Sequence, residues 1–175
     1  MARTDWNITG TGGIAIIDET GSKRCQLTGT KLMLWNGRSD LINVEIICES
    51  KYSTSNTNAG GAVVLRSDAT ANNCYRLVIY GATTRTYYIQ KVVAGVVTNL
   101  GSYTSTIGYS IYGKTRFRVD GYQLSVDEWE SGAWVNRITI DDTSQACTTG
   151  YVGLMGYSTA GYYVVYDNVE VREKS

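Results

Sequence analysis

The chain alternates apolar and polar residues with a period of two through nearly all of its strand-like segments, and nowhere sustains a helical period over a dozen residues. Successive side chains on a strand point to opposite faces, so each such segment writes out an inward row and an outward row. In Leu41–Glu49, Val44, Ile46 and Cys48 form one row, and Glu45, Ile47 and Glu49 the other. Cys74–Tyr80 sets Tyr75, Leu77 and Ile79 inward against Arg76, Val78 and Tyr80. Lys114–Asp120 places Phe117 and Val119 inward with Arg116 and Arg118 outward; Tyr122–Trp129 returns with Leu124 and Val126 inward. Trp134–Ile140 follows with Ile138 and Ile140 inward, and further strands are expected at 62–66, 86–93, 96–100, 151–157 and 162–172. Turn signals stand between them at Gly81–Arg85, Ala94-Gly95, Asp120-Gly121 and Glu130-Ser131-Gly132, with polar loops at 50–61 and 141–149. Strand after strand without helices predicts an all-β fold, an antiparallel two-sheet β-sandwich of jelly-roll type. No linker divides the chain, and 175 residues suffice for a single domain spanning 1–175 with a sizeable core.

Composition then removes whole classes of chemistry. The chain has no histidine, so Ser-His-Asp and Cys-His nucleophile systems, His-ligated zinc and imidazole pH switches cannot be built from it alone. Its 16 basic residues balance 16 acidic ones, which argues against a nucleic-acid partner. No apolar run is long enough to span a bilayer as a helix, and the start lacks the apolar core of a signal peptide, so no membrane partner is expected. Cys25, Cys48, Cys74 and Cys147 form no C-x-x-C pair; Cys48 and Cys74 fall in strand patterns, where a free thiol serves as a small hydrophobe. The 14 Tyr and 4 Trp, set among sparse charges, describe a surface that makes contact through aromatic and hydroxyl groups.

The order of the segments Tyr75–Tyr80, Tyr88–Val92, Thr115–Gly121, Leu124–Val126, Asp141-Asp142-Thr143, Gly150–Leu154 and Tyr166–Val171 resembles the concanavalin A-like lectin/glucanase superfamily, in particular its laminin-G-like jelly-roll modules. The likeness covers residues 41–172, while residues 1–40 match less well. It implies two face-to-face antiparallel sheets, one of them concave, with an N-terminal strand pairing the C-terminal one. Members bind glycans, bind proteins, hydrolyse polysaccharides or decorate extracellular proteins and virions, and fold alone does not choose among these. In the superfamily calcium often sits on the sandwich away from the concave face, sometimes using an acid near the last strand; Asp167 occupies a comparable place, with Asp5 or Asp18 as further oxygen donors, although a turn-satisfying role suits Asp167 better. No other cofactor is implied.

Glycoside hydrolysis, the superfamily's main chemistry without histidine, needs two carboxylates about 5–9.5 Å apart. Asp127-Glu128-Trp129-Glu130 departs from the glucanase spacing Glu-x-Asp-x-x-Glu, and Glu45 and Glu49 on one strand face stand ~13 Å apart. A solvated strand edge or turn accounts for these acids better than catalysis, so no catalytic residue and no enzyme is expected. The outward rows instead supply a binding face: Arg76, Tyr80, Arg116, Arg118, Asp127, Trp129 and Arg137, joined by Ser125 and Thr139. Trp and Tyr stack on sugar rings or anchor protein contacts, and Arg and Asp hydrogen-bond hydroxyls. The sequence thus reads as a non-enzymatic recognition or structural module whose partner is a glycan or protein surface. Its make-up suits a virion decoration or tail-associated protein, at a virion surface or outside the cell, contacting capsid or tail proteins or assembling as a homo-oligomer. A carbohydrate-binding module is the alternative, and a glycoside hydrolase the second alternative.

Overall fold

The computed structural model describes residues 6–19, 21–53, 59–81, 83–158 and 162–174. Among these the chain forms strands and no helix, in two seven-stranded sheets. The first sheet runs in the order β1 (Trp6–Gly10), β4 (Lys31–Trp35), β13 (Tyr151–Ser158), β6 (Ala59–Ser67), β7 (Cys74–Gly81), β8 (Thr84–Val93) and β9 (Val96–Gly108). The second runs β12 (Ala133–Asp141), β11 (Gln123–Glu130), β10 (Gly113–Asp120), β5 (Val44–Tyr52), β14 (Tyr163–Glu173), β3 (Ser22–Thr28) and β2 (Ile14–Glu19). Every pairing between neighbouring strands is antiparallel. This is the jelly-roll sandwich expected from the alternation. The first 40 residues join both sheets, and β3 pairs with the C-terminal strand β14.

The inward rows of the two sheets meet as one core. Leu77, Ile79 and Ile89 from the first sheet face Ile46, Phe117, Leu124 and Val126 from the second, all fully buried. Each such side chain contributes about 1.5–3 kcal/mol relative to an exposed one. The hairpins follow local backbone rules. Val93 pairs Val96 and Glu130 pairs Ala133, leaving Ala94-Gly95 (φ 49° and 78°) and Ser131-Gly132 (φ 49° and 87°) as two-residue loops with positive φ at both positions. That is the I′ hairpin. Between Asp120 and Gln123, only Gly121 of the two loop residues has positive φ (57°), so the glycine takes the first central position, as in a II′ turn.

Two segments differ from expectation. Gly60 and Gly61 lie in the β6 ladder opposite Tyr80 and Ile79, rather than in a loop over 50–61. A side chain at Gly61 would collide with the Tyr166 hydroxyl arriving from the other sheet, so glycine here serves close approach. Arg85 lies within β8, not in a turn, and is completely buried between the sheets. Its Nη2 donates to the carbonyls of Ser50 (2.7 Å) and Ile111, while Nε and Nη1 have no partner. Gly113 leaves the guanidinium the space that a side chain would occupy.

Candidate functional site

The outer face of the second sheet collects its chemistry on β10, β11 and β12. The β10–β11 register sets Arg116 opposite Asp127 and Arg118 opposite Ser125, and the β11–β12 hairpin sets Trp129 opposite Trp134. Asp127 is almost fully buried at the centre. It accepts from Arg116 Nε at 2.8 Å and Asn136 Nδ2 at 3.0 Å, and forms an ion pair with Arg118 Nη2 at 3.0 Å. A buried carboxylate is tolerable only when its charge and lone pairs are met this way. Beside this cluster the two indoles pack edge to face, with centroids 5.2 Å apart. Lys114 Nζ sits 5.2 Å from the centroid of Trp129 and 5.7 Å from that of Trp134, and the Arg116 guanidinium lies 4.6 Å from the Trp134 centroid. Cations over indole faces are attracted by the ring quadrupole, so the aromatic pair is framed by positive donors. Trp129 nevertheless keeps 39% of its surface exposed.

Further across the same face the charges interlock. Arg118, Glu45 and Arg172 stand in one row of the ladder, and Arg172 pairs with Glu45 at 3.4 Å and Glu170 at 2.6 Å. The Arg172 hydrogen bond lowers the Glu170 pKa below its ordinary value. At the far corner, Glu19 accepts from Lys51, from Tyr112 at 2.6 Å and from Arg24 at 2.5 Å. Led by the Lys51 contact, these bonds hold its pKa down at about 2.

Arg116, Arg118, Asp127 and Trp129 are therefore brought together as the sequence suggests, with Ser125 between the arginines: Arg118 Nε donates to its hydroxyl at 3.0 Å. Arg76 and Tyr80 are not part of this group. They stand on β7 in the first sheet and face away from the sandwich on its opposite side, because alternation fixes inward or outward but not which sheet a strand joins. There Arg76 Nε donates to Gln90 at 2.8 Å and its guanidinium lies over the Tyr157 ring, while Tyr80 packs edge-on against Tyr88. Arg137 also departs from its expected outward position. A bulge between Val126 and Asp127 leaves it as the extra residue of β12. Its guanidinium turns to the sandwich edge, contacting Glu128 at 3.3 Å, Glu130, and the Tyr103 ring of β9 in the first sheet.

The same geometry disposes of the acid pair. Glu128 and Glu130 do share a side of β11, but Glu128 faces the core with no exposure and both are engaged by Arg137, so the solvated role expected for Glu128 is corrected to an interior one. Asp167 is occupied as well: Arg24 Nε donates to it at 2.9 Å, and the Asn168 backbone N–H at 2.8 Å. Asp18 accepts from the Gly21 backbone, and Asp5 lies outside the described residues. Among the described residues no group of three or more His, Cys, Asp or Glu side chains gathers that could hold a metal ion. All four cysteines are free, and burial pushes Cys48 and Cys74 up to about 12 and Cys25 and Cys147 to about 11, leaving their thiols protonated at neutral pH.

Trp134, Lys114 and Asn136 also belong to the site: Lys114 shares the outward row of Arg116 and Arg118, whereas Trp134 and Asn136 share the row of Ile138 and Ile140 and reach the outer face only through the bulge. The signal for Trp134 was available: Trp129 and Trp134 flank a Ser-Gly turn symmetrically, which places them opposite one another in a two-residue hairpin. Lys114 and Asn136 depend on cross-strand register and on the bulge.

The two sheets in this order form a concanavalin A-like jelly-roll fold, with a carboxylate-centred arginine cluster and an exposed indole pair on one outer face. Solved structures agree on the fold. The carbohydrate-binding module CBM66 from Bacillus subtilis superposes with a TM-score of 0.74 at 19% identity, over 97% of this chain and 96% of that one. The exoplasmic/lumenal domain of VIP36, solved with Ca2+ and Man3GlcNAc, gives 0.73 at 13% identity, over 98% and 84%. The GH43 protein BlXynB from Bacillus licheniformis gives 0.73 at 13% identity, but this chain spans only 38% of its length. No family model matches the sequence, and no curated protein matches it.

Proposed function

We propose that the protein is a non-catalytic carbohydrate-binding module that holds glycans on the outer face of β10, β11 and β12. The observation that carries this reading is the Trp129–Trp134 pair, half-open to solvent and framed by Lys114 and the Arg116–Asp127–Arg118 cluster. An indole face offers apolar surface to the C–H face of a pyranose, and fixed charged donors beside it bond the hydroxyls at the ring's rim. The likeness to a carbohydrate-binding module and to a domain solved with a bound glycan supports this choice over decoration of a virion, which the composition also suits. The module acts at an extracellular or virion surface in either case. Catalysis is disfavoured because the acids nearest the face are committed to arginines, Asp127 to Arg116 and Arg118, Glu128 and Glu130 to Arg137.

A glycan array probed with the intact chain tests the reading. Binding to a defined set of glycans should fall at least tenfold, about 1.4 kcal/mol, with Trp129→Ala. It should persist in Tyr80→Ala, on the other sheet. Binding that Trp129→Ala leaves untouched would move the site elsewhere, and silence across the array would favour the structural role.

A further inference from the structure

The two sheets part at one edge of the sandwich. β1 ends the first sheet and β2 the second, and the two do not pair. β3 keeps its pairing with β14 only as far as Cys25 opposite Tyr166. Beyond that point β14 is bulged between Asp167 and Glu170, with Asn168 at a φ of 48°. The gap encloses a cavity of about 520 Å3. Trp6, Ile8 and Met33 wall it on one side and Ile14, Ile16 and Val169 on the other. Its floor is formed by Leu154 and Tyr166, both 1% exposed, so it reaches into the core. The Tyr166 hydroxyl is already committed to the carbonyls of Ala62 (3.2 Å) and Met155 (2.9 Å) and adds no free polar group.

The mouth differs from the walls. Lys23, Arg24, Asp167 and Asn168 line it. Arg24 and Asp167 cancel one another through their 2.9 Å ion pair. Lys23 shares the inward row of β3 with Cys25 and Leu27, and has no ion-pair partner among the described residues. Asp18 stands opposite Lys23 in the β2–β3 ladder but accepts from the Gly21 backbone and does not line the cavity, so Lys23 supplies the ammonium at the mouth.

We propose that this cavity is a binding site for a small anionic amphiphile, an alkyl carboxylate, with its chain between the sheets and its carboxylate on Lys23 beside the Asn168 amide. At about 520 Å3 between apolar walls, the cavity admits a slender apolar chain and not a segment of folded protein. A sugar is rejected by the same walls, which would leave its hydroxyls without partners. The volume falls within the roughly 300–1,000 Å3 of small-molecule sites. The site is separate from the Trp129 face and stands or falls independently of the glycan reading.

Cys25 lines the cavity and is half-buried, whereas Cys48, Cys74 and Cys147 are buried, so its alkylation reports occupancy. The folded chain would be treated with iodoacetamide at basic pH, with n-decanoate or n-decanol below their aggregation limits, and the modified peptide quantified by mass spectrometry. Decanoate should slow Cys25 alkylation at least fivefold. Lys23→Glu, at an exposed position, should abolish that protection while leaving protection by decanol unchanged. Methyl NMR of Ile8, Ile14 and Ile16 in the same titration supplies a second readout, with shifts expected at all three. An unchanged alkylation rate together with unmoved Ile methyls would overturn the site. Protection by decanoate that survives Lys23→Glu would overturn the assignment of the carboxylate to Lys23.

Discussion

On the outer face of the first sheet, Arg76 reaches over the Tyr157 ring and donates to Gln90, and Tyr80 packs edge-on against Tyr88. On the outer face of the second, Arg116 reaches over Trp134 and pairs with Asp127, and Trp129 packs edge-on against Trp134. The two faces use the same devices, a cation on an aromatic ring and an edge-to-face pair, over different foundations. Beneath the first lies a second apolar cluster, with Leu32, Leu34, Val64, Cys74 and Val92 all at most 5% exposed. Tyr151 and Met155 pack against this miniature core. Beneath the second lies a lattice of ion pairs, among which Ile47 is the buried aliphatic residue of the outward row. With little apolar surface to cover, its indole pair remains available to solvent. The same contacts thus accompany an apolar cluster on one sheet and a lattice of ion pairs on the other, and only the second face leaves its aromatic pair as a candidate ligand platform.

The sharpest way to break this comparison is to remove an aliphatic side chain below the first face. Leu34→Ala deletes a residue 2% exposed, and chemical denaturation should show a loss of about 2–5 kcal/mol with glycan binding by the remaining folded protein unchanged. A smaller effect is expected on the second face from Asp127→Ala, which leaves Arg116 and Arg118 facing each other without their shared acceptor. About 1–3 kcal/mol should be lost, and the loss should shrink in high salt because both arginines are partly exposed. Trp129→Ala should cost only about 0.5–1.5 kcal/mol, the worth of an aromatic pair beyond its buried area, while ligand binding collapses. If Trp129→Ala proves as destabilising as Leu34→Ala, the indole pair is structural rather than a ligand platform.

The smallest effect is the acid limb of the second face. Glu19 titrates at about 2 in the fold, below its unfolded value, so its contribution is fully present above the unfolded pKa near 4.5 and is lost as pH falls toward 2. Thermal denaturation of the Glu19→Gln variant should therefore diverge from that of the parent above about pH 4.5 and converge with it near pH 2. Parallel curves across that window would remove Glu19 from the second face's electrostatics.

Much of this was legible from residue order. The strands from Leu41 onward follow their alternation, and Phe117, Val119, Leu124 and Val126 point into the core as their rows require. Even the burial of Glu128 was written in the pattern, two residues after Val126 and on its row; chemical type argued for solvent, and the neighbouring Arg137 made the interior position tolerable. Two glycines, Gly60 and Gly61, gave a loop signal for what is a close sheet-to-sheet approach. Arg137 was misplaced because a bulge is one inserted residue, invisible to a period-two count, and it reverses the face of the residue it adds.

By itself the sequence determined that this protein is an antiparallel sandwich, which side chains enter the core, and which chemistries its missing histidines forbid. Those are local properties: the strand period, the turn residues and the residue inventory need no knowledge of distant partners. Only the tertiary structure decided that Arg76 and Tyr80 belong to one sheet while Arg116, Arg118, Asp127 and Trp129 belong to the other, that Asp167 is answered by Arg24, and that the sheets part beside Trp6. Sheet membership is set by long-range pairing, as when β5 lies between β10 and β14 from remote parts of the chain. No alternation along a single strand can encode the identity of its neighbour.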